Sequence, residues 1–129
     1  MHKEFNPIFS HDDEHVISHK KNSNELDHWM AHLLFIVKEM NYLKKLSEKE
    51  LTGKEYYFLK LELERKKIEN NKLITTLEKY IKSRSILNEC DDMECDRLFI
   101  YEHEIYRKKY DRFISTYRTT KEMLFNLLT

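Results

Sequence analysis

Apolar side chains recur along most of this chain at alternating intervals of three and four. The first series is Leu26, Trp29, Leu33, Ile36, Met40 and Leu43. A second keeps the rhythm through Tyr56, Leu59, Leu63, Lys66, Asn70, Leu73, Leu77, Tyr80, Arg84 and Leu87. A third runs through Phe99, His103, Tyr106, Tyr110, Phe113, Tyr117, Thr120, Leu124 and Leu127. An α-helix turns once in 3.6 residues, so each series draws one stripe along one face of a helix. Three stripes predict three long amphipathic helices packed in coiled-coil-like seams.

Capping signals divide the pattern. Ser10 with Asp13 resembles a capping box, and Lys20-Lys21 suits a helix end, which predicts a short helix over 11–20. Asn22 with Glu25 opens the next segment, which runs to about Leu46. Ser47 with Glu50 and Thr52 with Glu55 flank Gly53, where one helix ends and another begins. Asp91 with Glu94 marks the last start, inside the acidic link ECDDMECD. Short links make sequential helices antiparallel neighbours. The expected fold is therefore all-α. Residues 22–129 form an antiparallel up-down-up bundle of three long helices, and a short extra N-terminal helix belongs to a segment over 1–21.

Helix length adds a further expectation. At 1.5 Å per residue the first long helix reaches about 35 Å and the other two about 50 Å. Folding about Leu51 sets Leu26 level with Leu77. The hairpin tip carrying Tyr80, Ile81, Leu87, Phe99 and Ile100 then extends past the first long helix, and apolar surface of that size needs a cover. Residues 5–20, with Phe5, Ile8, Phe9, Val16 and Ile17, are expected to fold back over it, a second copy of the chain being the other candidate.

Composition supports the helical reading. The 129 residues include one Gly and one Pro, too few to supply the turns of a β-rich fold. A hydrophobic content of 40% is too high for a disordered chain. Lys plus Arg and Asp plus Glu number 23 each. The clusters Arg65-Lys66-Lys67 and Arg107-Lys108-Lys109 are offset by neighbouring acids, which argues against a nucleic-acid binder. No apolar run approaches the roughly 20 residues that span a bilayer. The opening MHKEFNPIFSHDDE lacks the apolar core of a secretion signal, so Cys90 and Cys95 are expected to be reduced thiols in the cytoplasm.

The most chemical-looking stretch is HDDEHVISH, residues 11–19. On a helix His11, His15 and His19 share a face, but the outer two lie about 12 Å apart and cannot hold one ion. A metal site would use one pair and borrow other ligands. If residues 10–20 cover the tip, His15 and His19 come near Cys90 and Cys95, and H-x3-H with C-x4-C suits structural zinc. A disulfide between the two cysteines disagrees with a reducing compartment.

Other constellations carry less. Glu25 and His28 have the Glu-x-x-His spacing of di-iron bundles. The only later histidine, His103, has Ile100 three residues before it, so the second half of that motif is missing. Glu25 is then a carboxylate near a helix start, and His28 and His32 flank the seam. His103 sits on the stripe itself as a core histidine, with Glu78 the expected partner across the hairpin. Asn70, expected level with Tyr110, interrupts the seam as a register-setting polar residue. The seam tyrosines fall on the buried period, which assigns them to the core rather than to base stacking. One glycine permits no phosphate-cradling loop.

The expected function is a non-enzymatic helical interaction or structural module that binds protein or itself. The competing reading is a zinc protein using His15, His19, Cys90 and Cys95.

Overall fold

The computed structural model describes residues 7–9, 13–85 and 93–129, without the side chain of His15. It contains three helices packed against one another: α1 (Glu14–Glu50), α2 (Gly53–Arg84) and α3 (Met93–Leu128). Among the described residues there is no strand. None of the helices is long and apolar enough to cross a membrane.

The predicted stripes form the core. Leu26, Trp29, Leu33, Ile36, Met40 and Leu43 are all buried, and Met30 joins them. Leu59, Leu63, Lys66, Asn70, Leu73, Leu77, Tyr80 and Arg84 are buried along α2. On α3 every stripe residue from Phe99 to Leu124 is buried except Tyr106, which packs half-buried against the core. The rhythm ends at Leu127, which is exposed.

One expectation fails. No separate short helix is seen over 11–20: residues 14–20 are the first turns of α1, which continues unbroken through Asn22-Ser23-Asn24. Residues 10–12 lie outside the described residues. Asp13, not Ser10, caps the helix, and its side chain accepts from the Val16 amide at 2.9 Å. A cap contributes about 1 kcal/mol. Ending the helix at Asn22 would forfeit continuous backbone hydrogen bonds and the contacts Arg84 makes there. Arg84 donates to the Ser23 hydroxyl at 2.8 Å and to the His19 carbonyl at 3.0 Å.

The merger changes the length arithmetic. The 37 residues of α1 span about 55 Å, as long as the 36 of α3. Of the tip residues, Tyr80 and Phe99 are buried, Ile81 is half-buried and Ile100 is exposed, while Leu87 lies outside the described residues. Of the residues expected to cover the tip, Ile8, Phe9 and Val16 are exposed, Ile17 is half-buried, and Phe5 lies outside the described residues.

The turn after α1 falls where the sequence places it. Leu51 is the C-cap and lies buried in the core. Gly53 follows in the left-handed region at φ +65, which glycine adopts without strain.

Contacts fix the helices' relative positions. Asn70 on α2 donates to the Leu33 carbonyl at 3.0 Å, while Arg84, two heptads on, reaches back to Ser23 and His19. The α2–α1 contacts thus run in reverse order. Those between α1 and α3 run forward: Glu25 meets His103, His32 meets Tyr110 and Glu39 meets Tyr117, each pair 78 residues apart.

Candidate functional site

That constant offset places a row of polar groups between α1 and α3. Glu25, His32 and Glu39 stand seven residues apart, as do His103, Tyr110 and Tyr117 opposite them. Seven residues are two helical turns, so each step returns to the same face. Arg107 and Lys121, one turn beyond the outer rungs, add a cation to each carboxylate. Arg107 holds Glu25 through both oxygens, at 2.6 and 3.0 Å, and Lys121 donates to Glu39 at 3.1 Å.

The first rung extends into all three helices. His103, 1% exposed, donates from Nε2 to Glu25 Oε1 at 2.8 Å. Its other nitrogen, Nδ1, lies 2.7 Å from the Tyr80 hydroxyl. Tyr80 accepts in turn from Arg84 Nη1 at 3.0 Å. Trp29 stacks on the His103 ring at 4.9 Å between centroids and 16° between planes, and on Tyr110 at 5.4 Å. His103 was expected to pair with Glu78. The carboxylate it finds is Glu25 on α1, which lies well inside the helix rather than near its start.

Burial and charge act on these groups in opposite senses. Burial draws His103 below the ordinary imidazole range, and the Glu25 carboxylate opposes this only in part. Glu25 is raised by burial, but the hydrogen bonds from Arg107 and His103 and their charges outweigh that, so it stays ionised to lower pH than a free carboxylate. His32, bonded through Nδ1 to the Tyr110 hydroxyl, is also lowered, by burial and by its neighbour His28. Tyr117 donates to Glu39 at 2.7 Å, and burial together with that carboxylate drives its phenol far up.

Carboxylate, imidazole and hydroxyl in line resemble a proton relay, but Tyr80 and His103 are each 1% exposed. Neither side chain is open to solvent in this conformation. The hydrogen bonds tie helices together, as buried polar networks do when every member is satisfied.

No family model, no curated protein and no solved structure matches the chain.

The four residues assigned to zinc are only partly brought together. His19 lies against the start of α3, where Nε2 meets Asp96 Oδ1 at 3.0 Å, one residue from Cys95. Its Nδ1 is buried without a hydrogen-bond partner among the described residues. Cys95 is disulfide-bonded, not the reduced thiol the sequence suggests. A sulfur in a disulfide offers no thiolate to a metal, so a zinc site there requires the reduced chain. Cys90 and the side chain of His15 lie outside the described residues. Among those described, no group of three or more His, Cys, Asp or Glu is placed to hold a metal ion.

The sequence carries a signal for the rungs. Glu25, His32 and Glu39 repeat every seven residues, a spacing that flanks the apolar stripe rather than lying on it.

Proposed function

We propose that this chain is a non-enzymatic interaction module that binds protein, either a second copy or another chain. Its architecture in this reading is an antiparallel up-down-up coiled-coil-like bundle, supported by the reversed order of the α1–α2 contacts and the forward order of the α1–α3 contacts.

One observation carries the reading. Leu98, Tyr101 and Ile105 stand three and four apart on α3, exposed by 55%, 66% and 38%. They form a second stripe on the helix, turned away from the buried one. Amphipathic helices with spare apolar surface of this kind serve as docking faces for other proteins.

A photo-crosslinking amino acid at position 101, introduced in the cells that make the protein, tests the proposal. The expected result is a discrete protein adduct, with the chain itself or with one other protein, that is lost when Leu98→Glu and Ile105→Glu are added. No protein adduct, together with monomeric sedimentation at all accessible concentrations, would overturn it.

The contact between His19 and Asp96, beside Cys95, keeps a zinc site as the second reading. It goes with a cytoplasmic setting, which would keep both cysteines reduced. Chain purified without a tag under reducing conditions should then carry near-stoichiometric zinc, lost on Cys90→Ser. Metal-free protein from that preparation removes the reading.

A further inference from the structure

We propose that the chain of contacts Glu25–His103–Tyr80–Arg84 is an acid-operated latch that ties the N-terminal part of α1 to α2 and α3. It is shut while His103 is uncharged and released when His103 takes up a proton.

The partners fix every hydrogen. The Glu25 carboxylate only accepts, so His103 Nε2 carries the imidazole proton. The Arg84 guanidinium only donates, so the Tyr80 oxygen accepts from it, and the hydroxyl proton points to the remaining lone pair on His103 Nδ1. With a neutral imidazole each group has a partner, and one arrangement of protons satisfies all of them.

A second proton on His103 breaks that arrangement. Nδ1–H would face the Tyr80 O–H at 2.7 Å, two donors with no acceptor between them. Tyr80 would have to turn its proton away inside a site 1% exposed and accept from both His103 and Arg84. A buried donor left without an acceptor is costly, more so than the mean worth of a hydrogen bond.

The surrounding charges lean the same way. From α1, Glu25 faces His103 and favours the imidazolium, but Arg107 already holds both of its oxygens. From α2 the Arg84 guanidinium opposes a new positive charge, and from α3 so does Arg107. Glu104 engages Arg107 rather than His103, and Glu102 acts on Tyr80. Farther along α1, His19 is occupied with Asp96. Burial disfavours the charged ring most of all.

Release at Tyr80 propagates through Arg84. The same guanidinium that donates to Tyr80 holds the His19 carbonyl and the Ser23 hydroxyl. When Tyr80 turns, Arg84 must share the Tyr80 oxygen with a second donor, which weakens the inner anchor of the side chain that ties α1 before Glu25 to α2. The open form takes a proton at the ordinary histidine pH of about 6.5, the closed form only at a lower pH. The latch is therefore fully shut above about 6.5. As pH falls toward the lowered value of His103, the closed-to-open ratio drops by up to about tenfold per pH unit.

Trp29, the chain's single tryptophan, stacks on the His103 ring and reports on it directly. Acidification from about pH 7.5 to about 5.5 is expected to lower the amide protection over residues 14–25, taken relative to the intrinsic exchange rate at each pH, by up to about tenfold. Trp29 emission should change with the same midpoint. Amides around Leu59 and Phe113 should not respond. His103→Gln offers a non-titrating mimic whose amide can donate to Glu25 and accept from Tyr80, and it should abolish the response. His32→Gln, which removes the other lowered histidine, should keep it. A response that survives His103→Gln overturns the latch. If that variant does not fold, NMR titration of His103 in the native chain decides. Protonation at or above the ordinary histidine pH, with no change in amide protection over 14–25, overturns the latch equally.

Discussion

Trp29→Ala is expected to lower the stability of this protein by about 4 kcal/mol, the upper range for truncating a large buried aromatic. Trp29 is 3% exposed. Its ring covers His103 on one rung and Tyr110 on the next, so its removal opens a cavity between α1 and α3 and uncovers polar groups on both rungs. A domain of this size is typically stable by about 5–15 kcal/mol, so the change removes a large part of the total. Urea unfolding followed by far-UV circular dichroism is the suitable measurement, since the variant has no tryptophan to report by fluorescence. The midpoint should fall with little change in slope. Leu61→Ala, at a position 47% exposed, serves as the reference and should stay within about 0.5 kcal/mol. If the two substitutions cost the same, Trp29 is not central to the packing described here.

Glu25→Ala comes second, with an expected loss of about 2 kcal/mol. Glu25 accepts from both His103 and Arg107, and it joins α1 to α3 at the level where Tyr80 and Arg84 bring in α2. Hydrogen bonds to a charged group contribute about 1.5–3 kcal/mol each. The Glu25 side chain is 33% exposed, and solvent screening reduces that figure. His103 adds to the loss because its Nε2–H would be left buried without an acceptor. Glu25→Gln, which keeps an acceptor for one of the two donors, should lose less. A double-mutant cycle between Glu25→Ala and Arg107→Ala measures the coupling. Glu64→Ala on the exposed face of α2 provides the baseline. A loss under about 0.5 kcal/mol for Glu25→Ala, within the ordinary range of surface changes, would mean that the first rung holds nothing together.

Both predictions concern residues whose burial or partners the sequence announced unequally. Trp29 lies on a stripe that any reader of the pattern would bury. Glu25 carries the capping signal of a helix start, and the chain passes through it as mid-helix. The Asn22–Glu25 signal is genuine as local chemistry. It loses because a cap is worth about 1 kcal/mol, whereas an unbroken α1 lets Arg84 bond to Ser23 and His19 and brings Glu25 to His103. The partner of His103 was misplaced for a related reason. A stripe says which face of a helix is buried but not which neighbour that face meets. Glu78 lay on the adjacent helix in the chain, while the carboxylate that reached His103 came from α1, 78 residues away.

The zinc set shows the same division. Residues 10–20 were expected at the tip with His19 near Cys90 and Cys95; the contact His19 makes in the structure is with Asp96 at the start of α3. It arises by straight extension of α1, not by a fold-back.

By itself the sequence determined that the chain is helical, that three stripes are buried and which residues lie on them. It also placed the turn at Leu51 to Gly53. These follow from local geometry, since a period near 3.6 and the scarcity of glycine and proline act within a few residues of each position. Only the tertiary structure decided that α1 runs unbroken from Glu14, that Glu25 rather than Glu78 completes His103, and that two heptad series of polar groups face each other at a fixed offset. Those outcomes depend on packing and on hydrogen bonds between residues some 60 to 80 positions apart, and energies of that kind are set by the relative placement of helices, which no local signal encodes.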